Sequence, residues 1–480
     1  MDEVQNGRGD LLSSSPHYSL VPKGLEANLR FRRALLEEAS RDDATAAQLR
    51  TMCAQDVLFY VNAFAWTYDP RSSVQVTPFL TYGFQDEAML LLVDAVEVGQ
   101  DVAMPKSRDM GASWMCLTAF EWLWHFRRNL SFLLVSRNED YVDARDNPKA
   151  LFWKIDFLHQ HQPRWLLPKD RWLGSKDPGR KTLHLRNADT ESVIDGESTT
   201  GDAGRGDRRT AMLIDEHSAF EVSDSFRVLN ATRDTTKCRV FNATPQGANN
   251  GFYEVVHKTA ARVLRLHWSS HPDKARGLYT THEKTGRVQL LDDFRGLVSV
   301  RRKGEPKPRE VLFPDDYPFD LDRDQPKVRS PWYDDQCARC VSSQEVAQEL
   351  DIDFLGSDYP FFDAAFIATL RKRYAREPLI VGDLEYDRET MRPKRFVENP
   401  KGLLQLWLPL GREDRPAADR GFVAGADVSA GTGASNSVLV VADRVTGEKV
   451  ARLATPKMRP HDFAELAMAV AYFFNKAFLI

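Results

Sequence analysis

Two short segments of the chain carry residues whose types and order suit chemistry on a phosphate group. The first covers residues 104–114 (MPKSRDMGASW), and the second covers residues 212–217 (MLIDEH). The second segment is an apolar strand that ends in two adjacent carboxylates, Asp215 and Glu216. Such a strand end can place one carboxylate near a Mg²⁺ ion and the other near a water molecule.

The first segment is similar to a phosphate-binding loop that departs from the usual pattern. A short apolar strand over residues 102–104 leads into a polar turn with Gly111, and a helix starts at Ser113. This geometry points backbone N–H groups and a helix N-terminus at an anion. The usual loop reads G-x-x-x-x-G-K-[ST], whereas Ala112 stands here at the lysine position. Lys106, at the front of the loop, could reach back over the same phosphates, and Ser113 keeps the hydroxyl that Mg²⁺ needs.

Both segments also have a purely structural interpretation. Lys106 is then an ordinary loop lysine, and Asp215 with Glu216 caps the next helix, since carboxylates favour helix N-termini. Gln85, upstream of the loop, either grips an adenine edge with both groups of its amide or faces solvent at the start of a helix. The two segments together, each next to an apolar strand, favour a nucleotide-hydrolysing site.

Length and composition indicate a soluble globular chain of two or three domains. It has 480 residues, of which 42% are hydrophobic and 28% charged, and its formal net charge is −4. Any contact with nucleic acid must therefore use a local basic patch. The five cysteines are scattered, which argues against a disulfide framework. We expect a cytoplasmic location, because no apolar run is long enough for a membrane helix and the acidic N-terminus lacks a signal segment.

The elements that must position these residues alternate between strands and helices. From Val102 the pattern runs strand, loop, helix, strand, and residues 130–135 form a continuous apolar run typical of a parallel strand covered on both faces. The alternation predicts an α/β fold with a mostly parallel sheet and right-handed connections. Towards the end of the chain, the apolar residues 421–426 lead to Asp427 and a glycine-rich turn, which begins a second domain.

Basic residues are concentrated in two further segments. A glycine-rich loop at residues 196–209 leads directly into the acidic strand and contains Arg205 and Arg208. These arginines are either solvated or in contact with phosphate, which would belong to DNA or to a nucleotide held by a neighbouring subunit. Residues 295–309 form a second basic segment, which we interpret as an exposed excursion able to touch DNA.

In their order and spacing, these segments resemble the large terminase subunit of tailed bacteriophages, the motor that packages DNA. The resemblance covers roughly residues 75–480. It rests on Gln85, on the loop with its early lysine and on the acidic strand end. Residues 242–245 (NATP) resemble the coupling motif of the family, and residues 425–433 resemble the first strand of its RNase H-like nuclease.

The resemblance implies a P-loop ATPase of the ASCE type, with a central mostly parallel sheet, followed by a lid or linker and a nuclease. We expect an N-terminal disordered and helical segment at residues 1–66 and the ATPase core at 67–270. A basic insertion with the lid and linker would follow at 271–415, and the incomplete first part of the RNase H-like domain at 416–480.

The implied cofactors are ATP and Mg²⁺. The resemblance to an ATPase also implies roles for individual residues. Ser113 and Asp215 are expected to hold Mg²⁺, and Glu216 to orient the attacking water as the catalytic base. By resemblance, Thr244 senses the γ-phosphate and couples hydrolysis to movement along double-stranded DNA.

Arginine contacts complete the expected ATP site. Arg108, inside the loop, is the candidate arginine finger of the same chain, whereas Arg205 or Arg208 would act on a neighbouring subunit. The residues expected to bind ATP are Gln85, Lys106, Ser107, Arg108, Asp109, Met110, Gly111, Ala112 and Ser113.

The resemblance also implies a set of macromolecular partners. They are viral double-stranded DNA, the portal protein of a procapsid and a small terminase subunit. The chain would form a homo-oligomeric ring, a pentamer, on the portal, in the cytoplasm of an infected bacterium and without membrane contact.

Two other functions remain open. A helicase-like DNA translocase shares the loop, the acidic strand and the coupling motif, but it would carry a second ATPase-like domain in its C-terminal half. A non-catalytic DNA-binding or capsid-assembly protein with a decayed loop would explain Ala112. The presence of Glu216 argues against it, because simple binding needs no residue that orients water.

The nuclease expected of the full-length protein needs several carboxylates to hold two Mg²⁺ or Mn²⁺ ions. Asp427 is the candidate catalytic and metal-binding residue, Asp443 lies near a hairpin turn, and the other acids would lie beyond Ile480. We therefore expect that this chain leaves plasmid DNA intact during incubation with Mn²⁺. Nicked or linear plasmid on an agarose gel, in excess of that produced by an Asp427→Asn control, would contradict the expectation.

Overall fold

A computed structural model describes most of the chain and divides it into two compact units. The described residues are 14–171, 177–199, 204, 206, 208–282, 285–301, 307–320, 327–357, 364–433 and 435–480. The two units comprise Met1–Phe361 and Phe362–Ile480. Within the described residues, no helix is both long enough and apolar enough to cross a lipid bilayer.

The first unit combines a large sheet with helices on both of its faces and three small antiparallel strand pairs. Its helices are α1 (Leu25–Arg41), α2 (Asp43–Gln55), α3 (Val57–Phe64), α4 (Gly83–Val98), α5 (Ala112–Phe126), α6 (Glu139–Val142), α7 (Leu151–Gln160), α8 (Val222–Ala231), α9 (Gly251–Lys258), α10 (Pro331–Arg339) and α11 (Ser343–Val346). Its strands are β1 (Trp66–Tyr68), β2 (Val76–Pro78), β3 (Val102–Pro105), β4 (Ser131–Ser136), β5 (Arg180–Lys181), β6 (His184–Asn187), β7 (Ser192–Ser198), β8 (Ala211–Asp215), β9 (Arg239–Ala243), β10 (Arg262–Val263), β11 (Tyr279–Thr281), β12 (Val288–Leu290), β13 (Gly296–Val300) and β14 (Arg309–Phe313).

The centre of the first unit is an eight-stranded sheet with the order β10-β3-β9-β8-β4-β7-β6-β5. Its strands are parallel from β10 to β7, whereas β6 and β5 pair antiparallel at one edge. Alternate side chains of each strand enter different cores: Leu134 packs in the cluster of α5, and Leu133 packs in the cluster that contains Phe252 of α9. The predicted α/β fold with a mostly parallel sheet is therefore confirmed.

The N-terminal segment belongs to the core of the first unit. Helices α1, α2 and α3 contribute buried side chains to the same apolar cluster as α5. The segment at residues 1–66 was expected to begin with disorder, and this is wrong for residues 14–24, because hydrogen bonds from polar side chains hold these residues in place. The Lys23 ammonium donates to Asn62 Oδ1 at 2.9 Å and to the carbonyl of Thr81 at 2.7 Å. Residues 1–13 lie outside the described residues.

The second unit consists of one mixed sheet and two helices, α12 (Ala364–Tyr374) and α13 (Pro460–Phe473). Its strands are β15 (Ile380–Tyr386), β16 (Pro393–Glu398), β17 (Leu404–Leu406), β18 (Phe422–Asp427), β19 (Ser437–Asp443), β20 (Lys449–Thr455) and β21 (Phe478–Leu479). The strand order is β16-β15-β17-β20-β19-β18-β21. All neighbouring strands are antiparallel except β18 and β21, which are parallel. Helix α13 connects β20 to β21 and buries Phe463 and Val470 in the core of this unit.

The second sheet begins earlier in the chain than the boundary predicted at residue 416. Residues 378–420, interpreted from the sequence as an irregular linker with short strands, supply β15, β16 and β17 of this sheet. Leu404 of β17 pairs with Leu453 of β20, and both side chains are buried in the core of the second unit. The sequence predicted short strands here but did not assign them to the second domain, because β17 is short and the exposed face of β16 is charged, so neither shows a clear period-two pattern.

A buried polar network fixes helix α7 against helix α5. The Glu121 carboxylate on α5 accepts hydrogen bonds from His125 Nδ1 and from His159 Nε2 of α7, each at 2.9 Å. The hydroxyl of Tyr60 donates to the same carboxylate at 2.6 Å. Arg171 Nε donates to Nδ1 of His159 at 2.9 Å, so His159 is a neutral imidazole with its proton on Nε2. These groups are buried, and their satisfied hydrogen bonds specify one arrangement of the two helices.

The network makes the stability of the first unit sensitive to acid. Burial would raise the pKa of Glu121, but the hydrogen bonds from His125 and His159 outweigh it and lower the pKa to about 2. Burial lowers the pKa of His159. Both groups therefore bind protons more readily in the unfolded chain than in the folded protein. The free energy of unfolding should fall as the pH drops below the ordinary histidine pKa of 6.5, and fall further between pH 4.5 and about 2.

We predict that Glu121→Gln lowers the free energy of unfolding at pH 7 by about 3 kcal/mol, since it removes a buried carboxylate from its charged and hydrogen-bonding partners. The loss of stability on acidification should also become shallower, because the group with the depressed pKa is gone. Urea denaturation at pH 7 measures the first effect, and a comparison of pH 4.5 with about pH 2 measures the second, because Glu121 takes up its proton in that range. Glu37→Gln is the matched control, because Glu37 is an exposed helix glutamate that pairs with Arg33 at the surface. Equal destabilisation by the two substitutions would contradict the role of the network.

Candidate nucleotide-binding site

Three neighbouring parallel strands of the central sheet end at one place. Strands β3, β9 and β8 are adjacent, and the residues that follow them are Lys106, Thr244 and Glu216. Because the carboxyl ends of parallel strands lie at the same edge of a sheet, the loop after β3 and the acidic turn after β8 meet there. The structure thus brings together the two segments that the sequence analysis singled out.

A cluster of oxygen atoms lies at this edge of the sheet. The Ser113 hydroxyl, in the first turn of α5, lies 3.0 and 3.1 Å from the two carboxylate oxygens of Asp215. Asn242 of β9, which is paired with Asp215 in the sheet, donates its Nδ2 to Asp215 Oδ1 at 2.6 Å. Its Oδ1 is buried and has no hydrogen-bond partner in the described part of the chain. Since hydroxyl and carboxylate oxygens are ligands that Mg²⁺ prefers, and the Nδ2 donor of Asn242 holds the carboxylate in place, Ser113 and Asp215 fit a magnesium site.

The charges around Asp215 also favour a cation at this cluster. Burial raises the pKa of Asp215, and the neighbouring charge of Glu216 raises it further. The hydrogen bond from Asn242 and the charge of Lys106 act in the opposite direction. A cation bound at the carboxylate would add to these stabilising effects, because a nearby opposite charge favours the ionised form.

Glu216 leaves the strand in an unusual backbone conformation. Its φ of 55° lies in the left-handed region, which costs free energy for a residue other than glycine. Glu216 Oε1 lies 3.1 Å from Lys106 Nζ, and the Glu216 side chain is 38% exposed. It precedes the short 3₁₀ turn His217–Ala219 but caps no backbone N–H of that turn. The capping interpretation of the acidic pair is therefore wrong, and the carboxylate is directed to the lysine of the loop.

The two halves of the loop use their backbone amides differently. The first three amides are occupied by other segments: those of Lys106, Ser107 and Arg108 donate to the carbonyls of Ala243, Leu266 and Glu349. The amides of residues 109–114 have no acceptor within the described residues. Asp109 and Gly111 have left-handed φ angles of 57° and 76°, which turn the chain sharply before helix α5. The second half of the loop and the first turn of α5 are therefore the part that can bind an anion.

Two side chains from outside the loop hold this second half in place. Gln85 Nε2 donates to the carbonyl of Met110 at 3.2 Å, and Gln85 Oε1 accepts the amide of Tyr82 at 3.0 Å. The Lys274 ammonium donates to the carbonyls of Arg108 and Asp109 at 2.7 and 2.9 Å. Burial lowers the pKa of Lys274 to about 8. Gln85 is thus a buried residue that positions the loop, and its expected contact with adenine stays a prediction.

A cavity of about 740 Å³ opens beside the loop. Loop residues 109–111 form one wall, and positive charge comes from three other side chains: Arg71, Lys149 and Lys154. Apolar and aromatic residues line another part of the cavity: Pro78, Phe79, Leu80, Tyr82 and Trp114. An apolar wall beside a cationic one suits a ligand with a flat base and several phosphates, and the volume is that of a small-molecule site.

The candidate arginines lie in different places. Arg108 is 65% exposed, and its Nη1 lies 3.7 Å from Glu349 Oε2. Arg208 precedes β8 and donates to the carbonyl of Asp234 at 3.2 Å, so it lies at the opposite edge of the sheet from the site. It cannot reach the loop of its own chain, which leaves only the predicted action on a neighbouring subunit. Arg205 lies outside the described residues.

The remaining predicted residues occupy two further positions. Thr244 is buried directly after β9, and its carbonyl accepts a hydrogen bond from the Ser218 hydroxyl, two residues beyond Glu216. Asp427 is exposed at the end of β18 in the second unit. Asp443 accepts the amides of Val445 and Thr446 at 2.8 and 3.0 Å, which confirms it as a turn residue.

Sequence reasoning missed two residues of the site. Asn242 was assigned only to the coupling motif, although its position at the carboxyl end of a parallel strand could have indicated a member of the same cluster. Lys274 gave no signal, because it belongs to a loop far along the chain and is brought to the phosphate loop only by tertiary structure.

Comparison with known proteins gives a likeness of structure without a likeness of sequence. No protein-family model matches the sequence, and no curated protein matches it. The large terminase of bacteriophage HK97 aligns with a TM-score of 0.42 and 11% identity, over 84% of this chain and 67% of its own. The chain is similar to bacteriophage large terminases. They are the family that the motifs indicated.

Two further terminase structures show the extent of the likeness. The large terminase of a thermophilic bacteriophage, in complex with ADP, aligns with a TM-score of 0.32 and 8% identity, over 82% of this chain and 75% of its own. The ATPase domain of the Thermus phage P74-26 large terminase aligns with a TM-score of 0.25 and 16% identity, over 36% of this chain and 79% of its own. A second crystal form of the thermophilic phage protein aligns over only 44% of its own length. These alignments assign no role to any residue of this chain.

We predict that Gly111→Ala destabilises the first unit by about 1–2 kcal/mol and weakens nucleotide binding, because an L side chain is disfavoured at a left-handed φ. The new Cβ would also lie 2.8 Å from Gln85 Nε2 and push away the side chain that holds the loop. Gly447→Ala is the matched control: its φ is 71°, but no atom lies within 4 Å of the added Cβ. Urea denaturation and calorimetric titration with ADP would measure both effects. If the two variants lost the same stability and both kept the parent affinity, the role of Gly111 in the loop would be refuted.

Proposed function

We propose that this chain hydrolyses ATP with the help of Mg²⁺ and that it is the large terminase subunit of a tailed bacteriophage, which uses hydrolysis to move viral double-stranded DNA into a procapsid. The observation that carries the ATPase is the cluster of Ser113, Asp215 and Glu216 at the end of adjacent parallel strands. The order of the loop, acidic strand and coupling segment supports the more specific assignment as a terminase.

Each group of the site has a distinct task in this mechanism. Ser113 and Asp215 would hold Mg²⁺, which neutralises charge on the phosphates when it is bound, and the Nδ2 of Asn242 orients the Asp215 carboxylate. The amides of residues 109–114 would bind phosphate oxygens through the N-terminus of α5. Catalysis of this kind consists mainly of positioning and charge stabilisation, so a rigid, hydrogen-bonded loop suits it.

Glu216 is the residue that would orient and deprotonate the attacking water. Its carboxylate lies at the edge of the oxygen cluster and is partly exposed, so a water molecule can approach it. Lys106 Nζ lies 3.1 Å from this carboxylate. A phosphate group close to Lys106 would compete for its ammonium and leave the carboxylate available to the water.

The coupling segment offers a route from this site to the end of the first unit. Thr244 is linked through its carbonyl to Ser218 of the acidic turn. Three residues later, the amide of Gly247 donates to Ser357 Oγ at 3.0 Å. Movement of the acidic turn on hydrolysis would therefore reach residue 357 through two hydrogen bonds, and this supports the predicted coupling role of Thr244.

The remaining parts of the proposal concern assembly and the second unit. Arg208, or Arg205, would contact the nucleotide of a neighbouring subunit in a pentameric ring, with the portal protein and the small terminase subunit as further partners. The second unit would be the first part of an RNase H-like nuclease with Asp427 as a metal ligand. The succession of three antiparallel strands, a helix and a strand parallel to the first, from β18 to β21, supports this assignment.

The first test is ATP turnover by the parent chain and by Glu216→Gln, each with and without linear double-stranded DNA. We expect Glu216→Gln to lower turnover by at least about 100-fold, because it removes the base that orients the water, while nucleotide binding persists. DNA should stimulate the parent. A coupled phosphate-release assay measures turnover, and calorimetry measures binding.

Glu221→Gln is the matched control, since Glu221 is exposed and makes no side-chain cap at the start of α8. It should leave turnover unchanged. Normal turnover of Glu216→Gln would disprove the role of Glu216, and hydrolysis that DNA leaves unchanged would argue against a DNA motor.

A further inference from the structure

The phosphate loop lacks the lysine that such loops carry immediately before their serine. Ala112 occupies that position, and its side chain is buried in the core of the first unit. The lysine at the front of the loop, Lys106, is already paired with Glu216. A triphosphate with bound Mg²⁺ keeps a net negative charge, so a second cation beside the loop would be useful for binding it.

Lys154 lies on the helix face that is turned to the phosphate loop. It belongs to helix α7, three residues before Phe157, and residues three apart share one side of a helix. The ring of Phe157 packs edge-on against the ring of Trp114 in the first turn of α5, with their centroids 5.9 Å apart. Lys154 forms part of the wall of the same cavity as Met110 and Gly111.

The ammonium of Lys154 has capacity for an anion. Its Nζ donates to the carbonyls of Lys149 at 2.7 Å and Ala150 at 3.4 Å, and an ammonium has three donors. Within the described residues, it makes no ion pair with a carboxylate. Burial lowers the pKa of Lys154 to about 8, while the charges of Asp215 and Glu216 counteract part of that effect. A partly buried cation without a paired anion is costly unless a ligand supplies the anion.

Helix α7 is also held rigidly enough to present this side chain. His159, five residues after Lys154, donates to Glu121 of α5 in the buried network described above. The helix that carries Lys154 is thereby fixed to the helix whose first turn contains Ser113. Of the two other cations of the cavity wall, Arg71 is already paired with Asp69 and Asp109, and Lys149 is exposed to solvent.

We propose that Lys154 is a phosphate-binding residue of the nucleotide site and supplies from α7 the positive charge that the usual loop carries at the position of Ala112. Its ligand is the polyphosphate chain of a nucleoside di- or triphosphate. This inference rests on the proposed ATPase function and adds to it a residue that lies outside the loop.

The test is calorimetric titration of Mg·ADP and Mg·ATPγS into the parent chain and three variants. Lys154→Met keeps the length of the side chain but removes its charge, and it should weaken both ligands by about 10- to 100-fold, the range expected for a hydrogen bond to a charged group. Lys154→Arg keeps the charge and should remain within a few-fold of the parent. Lys181→Met is the control for loss of one lysine, because Lys181 is exposed on the edge strand β5, and it should bind as the parent does.

Thermal unfolding of the ligand-free proteins separates binding from a structural role. Lys154→Met should unfold at the same temperature as the parent or at a higher one, because it removes a desolvated charge. Weaker binding with a lowered unfolding temperature in both Lys154 variants would mean that the residue is structural, and it would overturn the inference. Equal affinity of Lys154→Met and the parent would also overturn it and would leave the ATPase standing. Absence of nucleotide binding by the parent chain itself would overturn the proposed function.

Discussion

The hydrogen bond between Ser113 and Asp215 is the contact on which the candidate site depends. It joins the first turn of α5 to the carboxyl end of β8, and both of these elements are packed into the core. A carboxylate placed there needs partners, because burial penalises its charge. Asn242 supplies one hydrogen bond, and Lys106 balances the adjacent Glu216. The geometry of the loop and the charge balance of the site therefore follow from one buried pair of oxygen groups.

The positive charge around the loop comes from separate parts of the chain. Lys106 belongs to the loop itself, Lys154 to helix α7 and Lys274 to the segment after β10, and only Lys106 could be connected to the site by sequence position. Burial lowers the pKa values of Lys154 and Lys274, because it removes water from their charged ammonium groups. The Lys274 ammonium donates hydrogen bonds to the carbonyls of Arg108 and Asp109. The loop thus depends on side chains from outside it for its conformation and for part of the positive charge around it.

The sequence was sufficient for features that depend on local order and periodicity. The apolar run at residues 130–135 identified a buried parallel strand, and the loop that leads to Ser113 could be paired with the strand end at Asp215 because parallel strands share an edge. The short strands expected within residues 378–420 were assigned to a linker and not to the second domain, since β17 is short and the exposed face of β16 is charged. Lys154 and Lys274 could not be found, because their places follow from packing between elements that are distant in sequence. The same applies to Gln85, whose amide partner, the Met110 carbonyl, is visible only in the folded chain.

The hydrogen bonds that Ser107 and Arg108 make with Leu350 and Glu349 bear on the modularity of the chain. The π-helical turn Ala347–Asp351 supplies backbone carbonyls to the front of the phosphate loop, far beyond the last strand of the central sheet. A fragment cut at the ATPase boundary expected from the sequence, residues 67–270, would contain every residue of the magnesium cluster but neither that turn nor Lys274. The phosphate loop of this fragment would lack the hydrogen bonds from Lys274 and to the carbonyls of Glu349 and Leu350 that hold its conformation. A piece that preserves these contacts of the loop must therefore extend at least to the turn Ala347–Asp351.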